Sequence, residues 1–359
     1  MNYDELLKRM AVEGVSDIHF KVGRPPLVRT GGVLKHLKDA ALLRPADTEG
    51  MARYFLSPMM FEKFMKTSEA DTSYSVKDLS RFRVSAFRQR GSVSLVLRVI
   101  SNRIPKFNEL GLPPVIEKLL DAQHGLILVT GATGSGKSST LAAMIDGINE
   151  RYPSHIITIE DPIEFLHKDK RGSINQREIG IDTDSFSTAF ISSLRQDPDV
   201  IMVGELRDTV TMETALRAAE TGHLVMSTLH TSDAKETINR IVDFFPPEQQ
   251  KQIRIQLSTN LNAVISQRLL AKADGLGRVL ACEIMIVNAA IRDYILDPNK
   301  LYEITANMAK GKDQYGSQTF DQALIDLLKQ GVITEQEALM NATSANDLKL
   351  KITMGGGWD

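Results

Sequence analysis

The chain has 359 residues, 42% hydrophobic and 25% charged, with 43 basic against 45 acidic side chains and a net charge of −2. That balance fits a soluble globular chain long enough for two or three domains, and it excludes a global attraction to nucleic acid or anionic lipid. One cysteine, Cys282, excludes an intrachain disulfide and a cysteine-rich zinc site, and its apolar surroundings predict an inert buried thiol.

Residues 1–10 read as a mixed-charge helix rather than a signal peptide. No apolar run approaches the ~18–20 residues of a membrane span, so a cytosolic location is expected. Residues 17–22 alternate as a strand with one buried face should. Pro25-Pro26 and Gly31-Gly32 mark turns, and a helical stretch is expected over 46–66. Residues 81–89 and 92–100 read as strands joined through Arg90-Gly91, a tight hairpin in which Gln89 pairs with Ser92 and Arg83 faces Arg98. Two cations face to face cost stability unless an anion lies between them. Residues 1–100 therefore form a small α+β domain, and proline-rich 101–114 reads as an extended linker.

From 115 to 288 the pattern is α/β, with apolar strands at 126–130, 155–159, 200–204, 223–229 and 278–286. Alternating strands and helices predict a mostly parallel sheet with function at the strands' C-terminal edge. Residues 289–359 are helical. Phe320, Ala323, Leu324, Leu327 and Leu328 share one apolar face, Thr334 and Glu337 fit a capping box, and residues 355–359 read as a frayed tail.

The most informative stretch is Gly131-Ala132-Thr133-Gly134-Ser135-Gly136-Lys137-Ser138, followed by Ser139. It fits the pattern G-x-x-x-x-G-K-[ST], after an apolar strand and before a helix. Glycines let successive N–H groups point inward, and a helix N-terminus adds roughly half a positive charge. A nucleoside triphosphate would lie there, with Lys137 on its β/γ-phosphates and Ser138 on Mg²⁺. Three further strand ends carry polar groups. One ends in Glu160-Asp161-Pro162-Ile163-Glu164, one in Gly204-Glu205 with Arg207 just beyond, and one in His230. In a parallel sheet all of them share the phosphate edge. Asp197 and Asp199 fall at the opposite end of their strand. Glu205 is therefore the acid that helps hold Mg²⁺, through water. Glu164 and Glu205 are equal candidates for general base, Arg207 can orient Glu205, and His230 can sense the γ-phosphate. His223, seven residues from His230 across one strand, reads as structural or intersubunit from strand geometry.

These boxes, with Ser16-Asp17-Ile18-His19 near the start, resemble the PilT/PilU family of type IV pilus retraction ATPases within the secretion ATPase superfamily. The acidic box runs 159–164, the atypical Walker B box 199–208 and the histidine box, which contains His223, 221–231. The resemblance covers nearly the whole chain. It implies a PAS-like α+β domain before a RecA-like P-loop ATPase domain and a helical C-terminal segment. It also implies ATP with Mg²⁺ and a homohexameric ring acting on the cytosolic face of an inner-membrane pilus platform protein. Arg83 and Arg98 map onto arginines that help grip nucleotide, and His223 joins the nucleotide-binding set with its box. The chain departs from the PilT pattern at Ala290-Ile291-Arg292-Asp293-Tyr294-Ile295, which lacks the family's asparagine. Residues 344–350, 81–87 and 244–246 look more like PilU, and 196–199 and 204–208 more like PilT. The balance favours a PilU-like accessory role beside a paralogous retraction ATPase, with primary retraction as its rival. A nucleotide-gated scaffold is the alternative from another class. A RecA-like nucleic-acid motor is disfavoured by the near-neutral charge.

Overall fold

The computed structural model describes residues 2–12, 14–37, 40–77, 79–100 and 103–353. The tail expected to fray lies outside them. The chain divides into two compact units, Met1–Arg103 with Glu164–Leu166, and Ile104–Ile163 with His167–Asp359.

The first unit contains α1 (Tyr3–Met10), β1 (Val15–Lys21), β2 (Leu27–Thr30), β3 (Val33–His36), α2 (Pro45–Phe55), α3 (Pro58–Thr67), β4 (Glu69–Val76), β5 (Ser80–Gln89) and β6 (Ser92–Ile100). Its strands form one six-stranded antiparallel sheet in the order β3-β2-β1-β6-β5-β4. Alternation puts Ile18, Phe20, Phe82, Val84, Leu95 and Leu97 on one face, where they bury against Leu7, Met51, Phe55 and Phe64 of the helices. The helical stretch expected over 46–66 is two helices, because Ser57-Pro58 starts a new one and Ser57 Oγ accepts the Met60 N–H at 3.3 Å.

The hairpin register is the expected one, with Gln89 opposite Ser92 and Arg83 opposite Arg98. Arg90 and Gly91 have φ of 51° and 78°, so both central residues of the turn are left-handed, as a type I′ turn requires. The anion near Arg98 belongs to the chain itself. Asp17 pairs with Arg98 in the β1–β6 register, and Arg98 Nε donates to Asp17 Oδ1 at 3.0 Å. Burial opposes ionisation of Asp17. Hydrogen bonds from Ser16 and Arg98, with the charge of Arg98, outweigh it and hold the carboxyl below its ordinary value.

The second unit starts with α4 (Phe107–Leu110) and α5 (Pro114–Lys118), so the segment expected to be an extended linker is partly helical. Ile116 of α5 is fully buried beside Leu141 and Met144, which explains why it folds back rather than extending. Then follow β7 (Gly125–Thr130), α6 (Lys137–Arg151), β8 (His155–Glu160), β9 (Ser173–Glu178), α7 (Phe186–Ser193), β10 (Val200–Val203), α8 (Thr209–Glu220), β11 (Leu224–Leu229), α9 (Ala234–Asp243), α10 (Pro247–Asn260), β12 (Leu261–Ala271) and β13 (Arg278–Ile286). Their sheet runs β13-β12-β7-β11-β10-β8-β9, parallel except for the β12–β13 pair. Helices cover both faces. Leu126, Leu128, Ile201 and Val225 pack on α7–α10, whereas Ile127, Val129, Met202 and Met226 pack on α6. Burial on both faces is why these strands read as unbroken apolar runs. Gly222, with φ of 104°, closes α8 as a left-handed residue.

The C-terminal helices are α11 (Ala289–Leu296), α12 (Glu303–Lys310), α13 (Lys312–Tyr315), α14 (Phe320–Lys329), α15 (Glu335–Met340) and α16 (Ala345–Thr353). The capping box expected at α15 is half made. Thr334 Oγ1 accepts the Glu337 N–H at 3.2 Å, but Glu337 Oε1 accepts the Ala271 N–H of β12 at 3.0 Å. The carboxylate thus fastens the C-terminal helices to the sheet.

Cys282 is fully buried and its thiol is pushed up to about 12, consistent with an inert thiol. The next residue on β13, Glu283, accepts the Ala234 N–H at 2.9 Å, and burial pushes its carboxyl up to about 7. A carboxyl raised this way binds a proton more tightly folded than unfolded, so stability falls as pH rises from the unfolded value to about 7. Glu283→Gln keeps an acceptor for Ala234 and removes that slope. Urea unfolding at pH 5 and pH 8 should show the variant gaining on the parent by up to about 3 kcal/mol at the higher pH. A constant difference across that range would show that Glu283 does not titrate there.

Candidate functional site

Buried β7 ends at Thr130, whose Oγ1 donates to Ser266 Oγ of β12 at 2.8 Å. The loop then needs glycine for two reasons. A Cβ on Gly131 would lie 2.5 Å from the Gln267 carbonyl oxygen and 2.7 Å from Ser135 Oγ, at a φ of 138°. Gly134 and Gly136 have φ of 80° and 99°, and Gly136 caps α6. Ala132, Thr133 and Ser138 are exposed and Ser139 half-buried, so the loop is open to a ligand. Lys137 is buried, and its Nζ donates to the Gly131 and Ala132 carbonyls at 2.8 and 3.1 Å. The cation is thereby stored inside the loop it would serve.

The residues fit a nucleotide. Ser135 Oγ and Gln267 Oε1 are buried without a hydrogen-bond partner, although the Gln267 amide is fixed by donating from Nε2 to Thr140 Oγ1 at 2.7 Å. Buried polar groups rarely stay unpaired, and these two sit on the phosphate cradle. A cavity of about 380 Å³ opens from the loop and is lined also by Ser232, Arg268 and Arg278.

The other strand ends meet on the same edge. Gly204 N–H donates to the Ile159 carbonyl at 2.8 Å and Thr228 Oγ1 to the Gly204 carbonyl at 2.6 Å, which ties β10 to β8 and β11. There Glu205 Oε2 lies 2.8 Å from Arg207 Nη2, and Glu205 Oε1 lies 3.4 Å from His230 Nε2. Glu205 is mostly buried while both partners are well exposed. Glu205, Arg207 and His230 are therefore in contact on this edge, with one carboxylate oxygen facing the Arg207 guanidinium and the other the His230 ring. Asp199, excluded as a metal ligand by position, accepts the His155 N–H at 2.7 Å at the far end. Among the described residues no group of three or more His, Cys, Asp or Glu could hold a metal ion. Mg²⁺ would thus depend on Ser138, Glu205 through water and the phosphates themselves.

His223 is the member of the nucleotide-binding set that the structure separates from it. It precedes β11 at the N-terminal edge, and its Nδ1 is 3.0 Å from the Ala218 carbonyl and 3.3 Å from Thr221 Oγ1. Seven residue steps at ~3.3 Å each place it about 23 Å from His230. Arg83 and Arg98 stand in the first unit, with Arg98 engaged by Asp17. Glu164 falls in the short stretch grouped with the first unit, while Ile163 and His167 on either side belong to the second.

Reading the sequence missed β9 and β12, and with β12 it missed Ser266 and Gln267 beside the loop. The run Ala263-Val264-Ile265 carried a β-branched signal for β12. Nothing in Ser173-Ile174-Asn175-Gln176-Arg177-Glu178 signalled β9, because an edge strand needs no apolar face of its own.

A family model described as type II/IV secretion system protein matches residues 3–336. The chain is 43% identical over 338 residues to the type IV pilus retraction ATPase PilT of Pseudomonas aeruginosa, across 94% of this chain and 97% of that protein. It is 40% identical over 359 residues to the type IV pilus ATPase PilU of the same organism, across 100% of this chain and 93% of that protein. A crystal structure of the pilus retraction motor PilT with bound ADP matches at a TM-score of 0.90 and 49% identity, covering 98% of this chain and 99% of that one. The chain belongs to the type II/IV secretion system protein family.

Proposed function

We propose that this chain is an ATP-hydrolysing motor of type IV pilus retraction, working as a homohexamer at the cytosolic face of an inner-membrane pilus platform. The observation that carries the reading is the shared sheet edge, where a P-loop storing Lys137 faces a Glu205 already gripped by Arg207 and His230. The relatives named above supply the process. In this reading ATP seats its phosphates on the loop N–H groups from Gly131 to Ser139, and Lys137 turns from the carbonyls to the β/γ-phosphates. Mg²⁺ at Ser138 would neutralise phosphate charge.

Glu205 has one oxygen on the Arg207 guanidinium and the other against the His230 ring, which leaves it little room to take a proton from water. Glu164 is therefore assigned the base. It takes the proton of a water whose oxygen bonds the γ-phosphorus as the bond to the β–γ bridging oxygen breaks and ADP leaves. Glu205 instead holds Arg207 and His230 at the transferring phosphate. Arg83 and Arg98, on a first unit read as PAS-like, grip the nucleotide at a subunit boundary, for which Arg98 would have to share its charge with Asp17.

Complementation tests the process. In strains lacking one or both retraction ATPases, expression of this chain should restore pilus retraction, and the Lys137→Ala form should not. Restoration only where the paralogue is present identifies an accessory motor, a reading favoured by the alignment to PilU over the entire chain. No restoration in either strain removes the retraction assignment.

A further inference from the structure

Glu164 sits on a short excursion of the chain whose two ends are held by one strand. At its start the buried Ile163 N–H donates to Glu178 Oε2 at 3.0 Å. At its end the His167 N–H donates to Gln176 Oε1 at 2.8 Å. Gln176 and Glu178 are i and i+2 on β9, so they project from the same face of the sheet. β9 is itself fixed. It pairs with β8 in the register Thr158–Gln176 and Glu160–Glu178, and the Glu178 N–H donates to Asp182 Oδ2 at 2.8 Å. Gln176 Nε2 donates to Glu160 Oε1 at 3.1 Å, and that oxygen also accepts Thr158 Oγ1 at 2.7 Å. Just downstream Asn149 of α6, the helix that begins at Lys137, donates to the Lys168 carbonyl at 2.8 Å and accepts the Lys170 N–H at 3.1 Å.

We propose that Glu178 and Gln176 are positioning residues that set Glu164 for proton abstraction by clamping the backbone N–H groups on both sides of it. The inference rests on the assignment of Glu164 as base. Two side-chain acceptors on one strand, bracketing one acid, fix both its position and its direction. The two clamps have different chemical needs. At 178 an acceptor suffices, so Gln can replace Glu. At 176 the side chain must accept from His167 and donate to Glu160, so Glu cannot replace Gln without setting two carboxylates against each other.

The purified full-length chain tests this through kcat and KM for ATP, with melting temperature recorded for each variant. Glu178→Ala should lower kcat by roughly 10–100-fold with KM within about threefold of the parent, since a misplacement near 1 Å can cost ~10²-fold. Glu178→Gln should stay within about threefold of the parent, and Gln176→Glu should fall as Glu178→Ala does. Where Glu178→Ala fails to fold, the Glu178→Gln and Gln176→Glu pair decides. Parental kcat in Gln176→Glu, or equal damage from Gln and Ala at 178, overturns the clamp. Glu164→Gln is measured alongside. If it keeps parental kcat, the base assignment fails. If it is inactive while Glu178→Ala turns over normally, only the clamp fails.

Discussion

Lys137→Ala is expected to abolish ATP hydrolysis, lowering phosphate release by at least about 10²–10³-fold, the usual cost of one preorganised donor at developing charge. The expectation comes from where Lys137 sits. Its ammonium is buried and bonded to the Gly131 and Ala132 carbonyls, so it is held within reach of the phosphates with little reorganisation. Its stem is also part of the buried first turn of α6. Alanine is a good helix former, so the fold should survive, and the melting temperature in the absence of nucleotide should change by only a few degrees. Steady-state phosphate release by the purified variant is the measurement. Turnover at the parental rate would remove the P-loop from the mechanism and revive the scaffold reading.

The second large effect separates two acids. Glu164→Gln should lower kcat by roughly 10²–10⁴-fold, the range of a positioned general base, while ADP still binds. Glu205→Gln should also be severe, but for another reason. An amide offers one acceptor, so it cannot serve Arg207 and His230 together, and its NH₂ meets one of the two donors. The variants therefore differ in their dependence on those partners. Adding Arg207→Ala to Glu205→Gln should cost little more, because the ion pair is already gone. Adding it to Glu164→Gln should cost as much as it does alone. If Glu205→Gln is inactive and Glu164→Gln retains full turnover, Glu205 is the base and Glu164 has another role.

Much of this site could be read from residue order. The P-loop is legible because its chemistry is local: three glycines at positive φ, a lysine and a helix start all lie within nine residues. The Arg83–Arg98 pairing was legible because a two-residue turn fixes the register of the whole hairpin. The strand ends at Glu205 and His230 followed from parallel pairing, which puts like ends on one edge.

What sequence could not supply was every pairing between distant segments. Asp17 answers Arg98 across 81 positions, and Ser266 and Gln267 reach Thr130 and Thr140 across more than a hundred. β9 is polar because it is an edge strand, so its only identity as a strand comes from its bonds to β8. Glu337 fits a helix cap in isolation and serves β12 in the fold, since the Ala271 N–H at the end of that strand competes for its carboxylate. By itself the sequence determined a strand–loop–helix with the P-loop spacing and which polar strand ends share its edge, because those are properties of spacing and pleat. Tertiary structure alone decided how they pair. It set one Glu205 oxygen against the Arg207 guanidinium and the other against the His230 ring, and it bracketed Glu164 with Glu178 and Gln176, because long-range contacts are chosen by packing and not by neighbours in the chain.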